Sequence, residues 1–98
     1  MNIIWLNSSV VDLKNIEKYY YENASSEVAI NIISAIYRTA EKISKNPEIG
    51  SVTSVDENFR KFNLKEYNYL IFYRVKAGDI EIGAVFDTRQ RPDSLKLF

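Results

Sequence analysis

Residues 59–86 read FRKFNLKEYNYLIFYRVKAGDIEIGAVF, and this stretch decides the fold. Apolar and polar residues alternate through it with a period of two, the signature of β-strands with one face buried. The spacing predicts a strand over 59–64, a turn at Lys65-Glu66, and a long aromatic strand over 67–75. Lys76-Ala77-Gly78-Asp79 makes a hairpin turn, with Gly78 free to take a positive φ, and 80–86 is the last strand. Three strands joined by short turns form an antiparallel meander.

Upstream the period changes. Val28, Ala29, Ile32, Ile33, Ile36, Ala40 and Ile43 recur at helical spacing after the start signal Ser25-Ser26-Glu27. Asn46-Pro47 ends this helix, because the residue before proline is pushed out of the α region. A first helix is expected over 9–22, with Ser8 or Ser9 as its cap and Asp12 facing its exposed amides. Residues 2–6, NIIWL, form a short strand that must pair back into the sheet to satisfy its amides. Trp5 is most simply a core anchor. Residues 47–58 read as a loop, and residues 87–98 as a polar arm with an apolar end. The order β-α-α-β-β-β implies a single α+β domain over residues 1–98, an antiparallel sheet with the N-terminal helix hairpin packed on one face.

Composition removes many chemistries. The 98 residues include no Cys and no His. Disulfides, thiolate or imidazole metal sites, and Ser-His-Asp triads are excluded. No Asp/Glu cluster has metal-binding spacing, and Gly78 and Gly83 match no phosphate-binding loop, so no metal and no cofactor is expected. No apolar run is long enough for a transmembrane helix, and the N-terminus has no basic region followed by an apolar core. A cytoplasmic protein with no membrane partner is the expectation. The 13 basic and 13 acidic residues cancel, which argues against general nucleic-acid binding. Four of the five arginines, Arg60, Arg74, Arg89 and Arg91, nevertheless lie in the last 41 residues.

A meander can bring those four guanidinium groups toward one side of the sheet, as a surface for phosphates or carboxylates. The plainer alternative is solvated charge plus an ion pair such as Arg74 to Glu81. Asp87, at the end of the last strand, can act as a base, orient Arg89, or simply hydrogen-bond the following turn. Tyr67, Tyr69 and Tyr73 share a strand face by period, to stack on a partner or to fill the core edge. Tyr19, Tyr20 and Tyr21 cannot share one helix face, so at least one is exposed.

The segments IIWLNSSVVDLKNIEKYY (3–20), KNPEIG (45–50), FRKFNL (59–64), YLIFYRV (69–75) and IEIGAVFDTRQRP (80–92) occur in an order that resembles the RelE/ParE family of bacterial type II toxins. The likeness covers nearly the whole chain, and the strand end V-F-D-T-R-Q-R-P is its most specific part. Two activities follow from the resemblance. RelE-like members are endoribonucleases that cut messenger RNA in the ribosome; here Arg60, Arg74 and Arg89 would hold phosphate, and Asp87 or a tyrosine would move protons. ParE-like members bind and poison DNA gyrase and are associated with plasmid stabilization.

This chain departs from the nuclease pattern. Asp87 stands where a His is common, residues 47–58 carry no Lys or Arg, and no Tyr follows Arg89. The ParE-like branch is therefore favoured, with Arg60, Arg74, Arg89, Arg91 and Tyr69 as the surface for target or antitoxin. The resemblance also implies a cognate antitoxin and an oligomer formed with it. Residues 95–98, LKLF, either meet that partner or fold back on the chain's own core.

Overall fold

A computed structural model describes residues 1–98. Strand β1 (Ile3–Trp5) leads directly into α1 (Asn7–Asn23) and α2 (Ser26–Lys45). Then come β2 (Ser51–Val52), β3 (Arg60–Leu64), β4 (Tyr69–Lys76) and β5 (Asp79–Asp87). The sheet order is β1-β5-β4-β3-β2. No helix is long and apolar enough to cross a membrane.

Two features correct the expected antiparallel four-strand sheet. Strand β1 lies parallel to β5, with Ile3 opposite Ile80 and Trp5 opposite Ile82, so the sheet is mixed. The segment read as loop contributes β2, which adds an edge strand against Lys61 and Arg60. Strand β4 begins at Tyr69 rather than Tyr67, because Lys65–Tyr67 form one 3-10 turn and Asn68 sits at φ 62°. Asparagine tolerates that left-handed geometry better than most residues. In the hairpin both Ala77 (φ 52°) and Gly78 (φ 80°) are left-handed, the backbone that a two-residue hairpin turn demands.

Most of the stripe on α2 is buried as its spacing requires, but Val28, in the first turn, is exposed and Ile33 is half-buried. Ala29, Ile32, Ile36, Ala40 and Ile43 all lie inside, and the Ser25 hydroxyl caps the Val28 amide at 3.1 Å. Each fully buried isoleucine contributes roughly 1.5–3 kcal/mol of transfer free energy. Helix α1 starts two residues earlier than its serines suggest. Those serines bond carbonyls instead: Ser9 Oγ donates to Leu6 O (2.7 Å), and Ser8 Oγ donates to Gly83 O. Asp12 is likewise drawn away from the helix end, and its Oδ2 accepts from the Val85 amide (2.9 Å). Together Ser8 and Asp12 satisfy the edge of β5 beyond the reach of β1.

Both sheet faces are covered. The helices shield Ile71, Tyr73, Ile80, Ile82 and Val85. A second cluster of Phe59, Phe72, Ala84 and Leu97 lies on the other face. A bulge makes this possible. Phe72 faces Ala84 while Tyr73 faces Ile82, which leaves Gly83 unpaired. The extra residue reverses the alternation, so Val85 rather than Ala84 follows Ile82 toward the helices. Trp5 is half-buried, edge-on to Tyr37 at 5.2 Å. Leu97 is buried, so the C-terminal apolar end folds back on the chain.

Candidate functional site

The four arginines are not gathered. Arg60 stands opposite Tyr73, on the helix-side face. Its Nη1 donates to Gly50 O (2.7 Å), while the Tyr73 hydroxyl donates to Pro47 O (2.7 Å) and accepts from the Gly50 amide (2.8 Å). Arg60 therefore pins the loop after α2. Arg74 stands opposite Glu81 on the other face and bonds its carboxylate at 2.7 Å. Its guanidinium sits 5.0 Å from the Phe59 ring and 4.8 Å from the Phe98 ring. Asp87 lies opposite Tyr69, four residues along β4 from Tyr73. That spacing puts Asp87 and Arg89 about 13 Å from the Arg60 end of the sheet. Arg91 is exposed and joins neither ion pair.

What the fold does assemble is a groove of about 460 Å³ between α1 and the end of β4 and β5. Asp87, Arg89 and Tyr69 are brought together there, joined by Tyr20, Asn15 and Asp12 from α1. Arg89 grips Asp87 with two side-chain bonds, Nε to Oδ1 (3.0 Å) and Nη2 to Oδ2 (2.9 Å). The Arg89 amide adds a third bond to Oδ1 (2.9 Å). The Tyr69 hydroxyl points at that of Tyr20, a long contact of 3.5 Å. Of these, Asn15 and Asp12 were not expected as site residues, and Tyr20 was expected only as one of three tyrosines of which at least one is exposed. Their signal was present, since positions 12, 15–16 and 19–20 share one helical face.

The groove's electrostatics follow from these contacts. Burial foremost, then the Tyr20 hydroxyl, pushes the Tyr69 phenol well above its ordinary value, so it stays protonated near neutral pH. Hydrogen bonds from Arg89 hold Asp87 below the ordinary 3.8. Asp87 in turn keeps Arg89 charged, with a smaller contribution from Tyr20. Burial raises Asp12, partly offset by the Val85 amide. The site offers a fixed guanidinium fork, a protonated phenol and aromatic faces, which is a hydrogen-bond-donating recognition surface. The Asp87 carboxylate is held by Arg89 through three hydrogen bonds, which makes it a weaker proton acceptor.

A pH dependence follows with a definite sign. Asp87 binds a proton less readily folded than unfolded. Its contribution to stability is whole above the unfolded value and is lost as pH falls through the lowered folded one. Asp12, raised, acts in the opposite sense. Asp87→Asn is therefore expected to flatten the decline of melting temperature as the pH falls below about 4. An acid limb as steep as the parent's would remove the Asp87–Arg89 pair from the explanation.

A helix hairpin on a mixed sheet is a fold that this chain shares with a solved structure. The chain is similar to one from the chromosomal ParDE TA system from P. aeruginosa, with a TM-score of 0.81 and 20% identity. The match covers 91% of this chain and 97% of that one. The family model described as ParE toxin of type II toxin-antitoxin system, parDE, matches residues 3–92. The chain belongs to that family and is a type II toxin. No curated protein matches it in sequence.

Proposed function

We propose that the protein arrests growth by binding a protein target, not by cutting RNA, and that a cognate antitoxin neutralises it in the cytoplasm. The target class implied by the ParE-like branch is DNA gyrase. The observation that carries this reading is the state of the groove. Asp87 is engaged by Arg89, which weakens it as a base, and Arg89 is the one arginine lining the groove, with Arg60 and Arg74 braced elsewhere. Cleavage at a ribose 2′-hydroxyl needs a base beside cations that hold the phosphate, and this arrangement gathers no such cluster. The zero net charge also gives little attraction to a ribosomal RNA surface.

Arg89, Arg91 and Tyr69 are the contact residues on this reading. Arg60 and Arg74 act from within, as braces for the Gly50 loop and for the outer sheet face. The antitoxin is expected to present acidic side chains to the groove, where Arg89 stands exposed, and to Arg91, exposed two residues further along the chain. Purified protein is expected to inhibit gyrase supercoiling and to leave messenger RNA intact on translating ribosomes. Primer extension showing cuts at fixed positions, lost in Arg89→Ala, would replace this reading with the endoribonuclease one.

A further inference from the structure

Strand β1 leaves one edge of the sheet open. It is an outermost strand, flanked only by β5. Asn2 O accepts from the Ile80 amide (2.8 Å), and the Leu6 amide donates to Ile82 O (2.9 Å). The even-numbered residues therefore turn their backbone groups toward β5. By alternation Ile3 and Trp5 turn their N–H and C=O groups the other way. No turn, loop or side chain bonds to them. An open strand edge is a template for another strand, and proteins commonly block it with charge, proline or a bulge. The strand here reads Ile-Ile-Trp and carries none of these.

The surface beside this edge is apolar. A hollow of about 250 Å³ opens between α1 and α2, lined by Trp5, Leu13, Ile33 and Tyr37. On α2, Ile30, Ile33 and Tyr37 share one helix face, and Ile30 and Tyr37 are exposed. On the opposite face of the sheet Ile4 is exposed as well. Lys14 and Glu17 stand at the hollow, one charge of each sign. The surface thus has no net field with which to select an acidic or a basic partner, in contrast to Arg89 and Arg91 at the other site.

We infer that this edge pairs with a second copy of the chain, β1 lying antiparallel to its own equivalent about a two-fold axis at Ile4. The pattern of free groups is self-complementary. With Ile4 opposite Ile4 of the second copy, Ile3 faces Trp5 of the second copy, and each such pair exchanges both of its backbone bonds. Ile4, whose own groups are turned to β5, falls at the position that needs none. The strand is short, and α1 begins at Asn7, so a longer foreign strand finds no continuing edge to follow. The same axis brings two apolar hollows and two stripes on α2 to one side of the joined sheet, an isologous contact. The groove stays open in the dimer, because it uses positions 12, 15, 16, 19 and 20 of α1 and the hollow uses 10, 13, 14 and 17. The inference is independent of what the groove binds.

Sedimentation equilibrium of the purified chain at micromolar concentration is expected to give twice the mass of one chain. Ile4→Lys sets like charges directly opposite at the axis, and Tyr37→Glu places a charge in the hollow. Both positions are exposed, so each variant is expected to keep the parent's circular dichroism spectrum while its dimer dissociates at least tenfold more readily. The register has its own test. The chain has no cysteine, so Ile4→Cys gives each copy a single thiol. In the proposed register the two Cα atoms lie about 4.5 Å apart, within reach of a disulfide. Mild oxidation is expected to link Ile4→Cys into dimers and to leave Val52→Cys, on the far edge strand, unlinked. A chain that sediments as a monomer throughout would overturn the inference and leave the face to a partner of another kind. So would a dimer that links through Val52→Cys and not through Ile4→Cys, or one that Ile4→Lys and Tyr37→Glu leave as tight as the parent's.

Discussion

Alanine at both Arg89 and Arg91 is expected to abolish growth arrest while leaving the melting temperature almost unchanged. The stability half of this follows from exposure. Arg91 is exposed and unpaired, and the Arg89 side chain is 63% accessible, where ion pairs contribute little. The functional half follows from geometry. Asp87 holds the Arg89 fork rigid at the mouth of the groove, so a partner need not order it on binding. An arginine at the centre of an interface is commonly worth on the order of tenfold or more in affinity, and two together about a hundredfold. Arg89→Lys separates charge from shape, because a lysine cannot span both Asp87 oxygens. It should lie between the parent and the alanine variant in growth assays. Undiminished toxicity in the double variant would remove this surface from the mechanism.

The largest loss of stability is expected from Phe59→Ala. This ring has no exposed surface and is the more deeply buried of the two phenylalanines in the outer cluster. Truncating a buried phenylalanine typically costs about 3–5 kcal/mol, against a total of roughly 5–15 kcal/mol for a domain. Here the loss has two further parts. Phe98 loses its edge-on partner, and Arg74 loses one of the two rings against its guanidinium. For a chain near 100 residues each kcal/mol moves the midpoint by about 4–8 °C, so a fall of roughly 15 °C or more is expected in a thermal scan. A fall below about 5 °C would mean that the outer cluster is not a second core.

The helix hairpin was legible because periodicity records burial directly. Most of the apolar stripe of α2 read from the sequence lies inside in the structure, all but Val28 and the half-buried Ile33. Start signals were less reliable where a side chain had a competing partner. Ser25 caps its helix, but Ser8 and Asp12 reach across to β5, a contact set by residues more than seventy positions away. Strand β2 escaped notice because two exposed residues carry no alternation. The arginines show the deeper limit. Arg60 and Arg74 lie on opposite faces because Arg60 pairs with Tyr73, not with Arg74, and period alone does not fix register. The groove residues on the sheet, Tyr69, Asp87 and Arg89, were legible as candidates. Their companions on α1 showed only as a shared helical face, since the docking of α1 on β5 is what makes that face one wall of a groove.

The parallel ladder at the sheet edge bears on how the domain closes. Ile3 pairs with Ile80 across both helices and the three strands between them. Contacts of such wide separation close late, after the entropy of the long intervening loop has been overcome. The groove depends on the same closure, because α1 follows β1 directly and lines it against residues of β5. Anything that binds there therefore meets a completed domain and not a partly folded one.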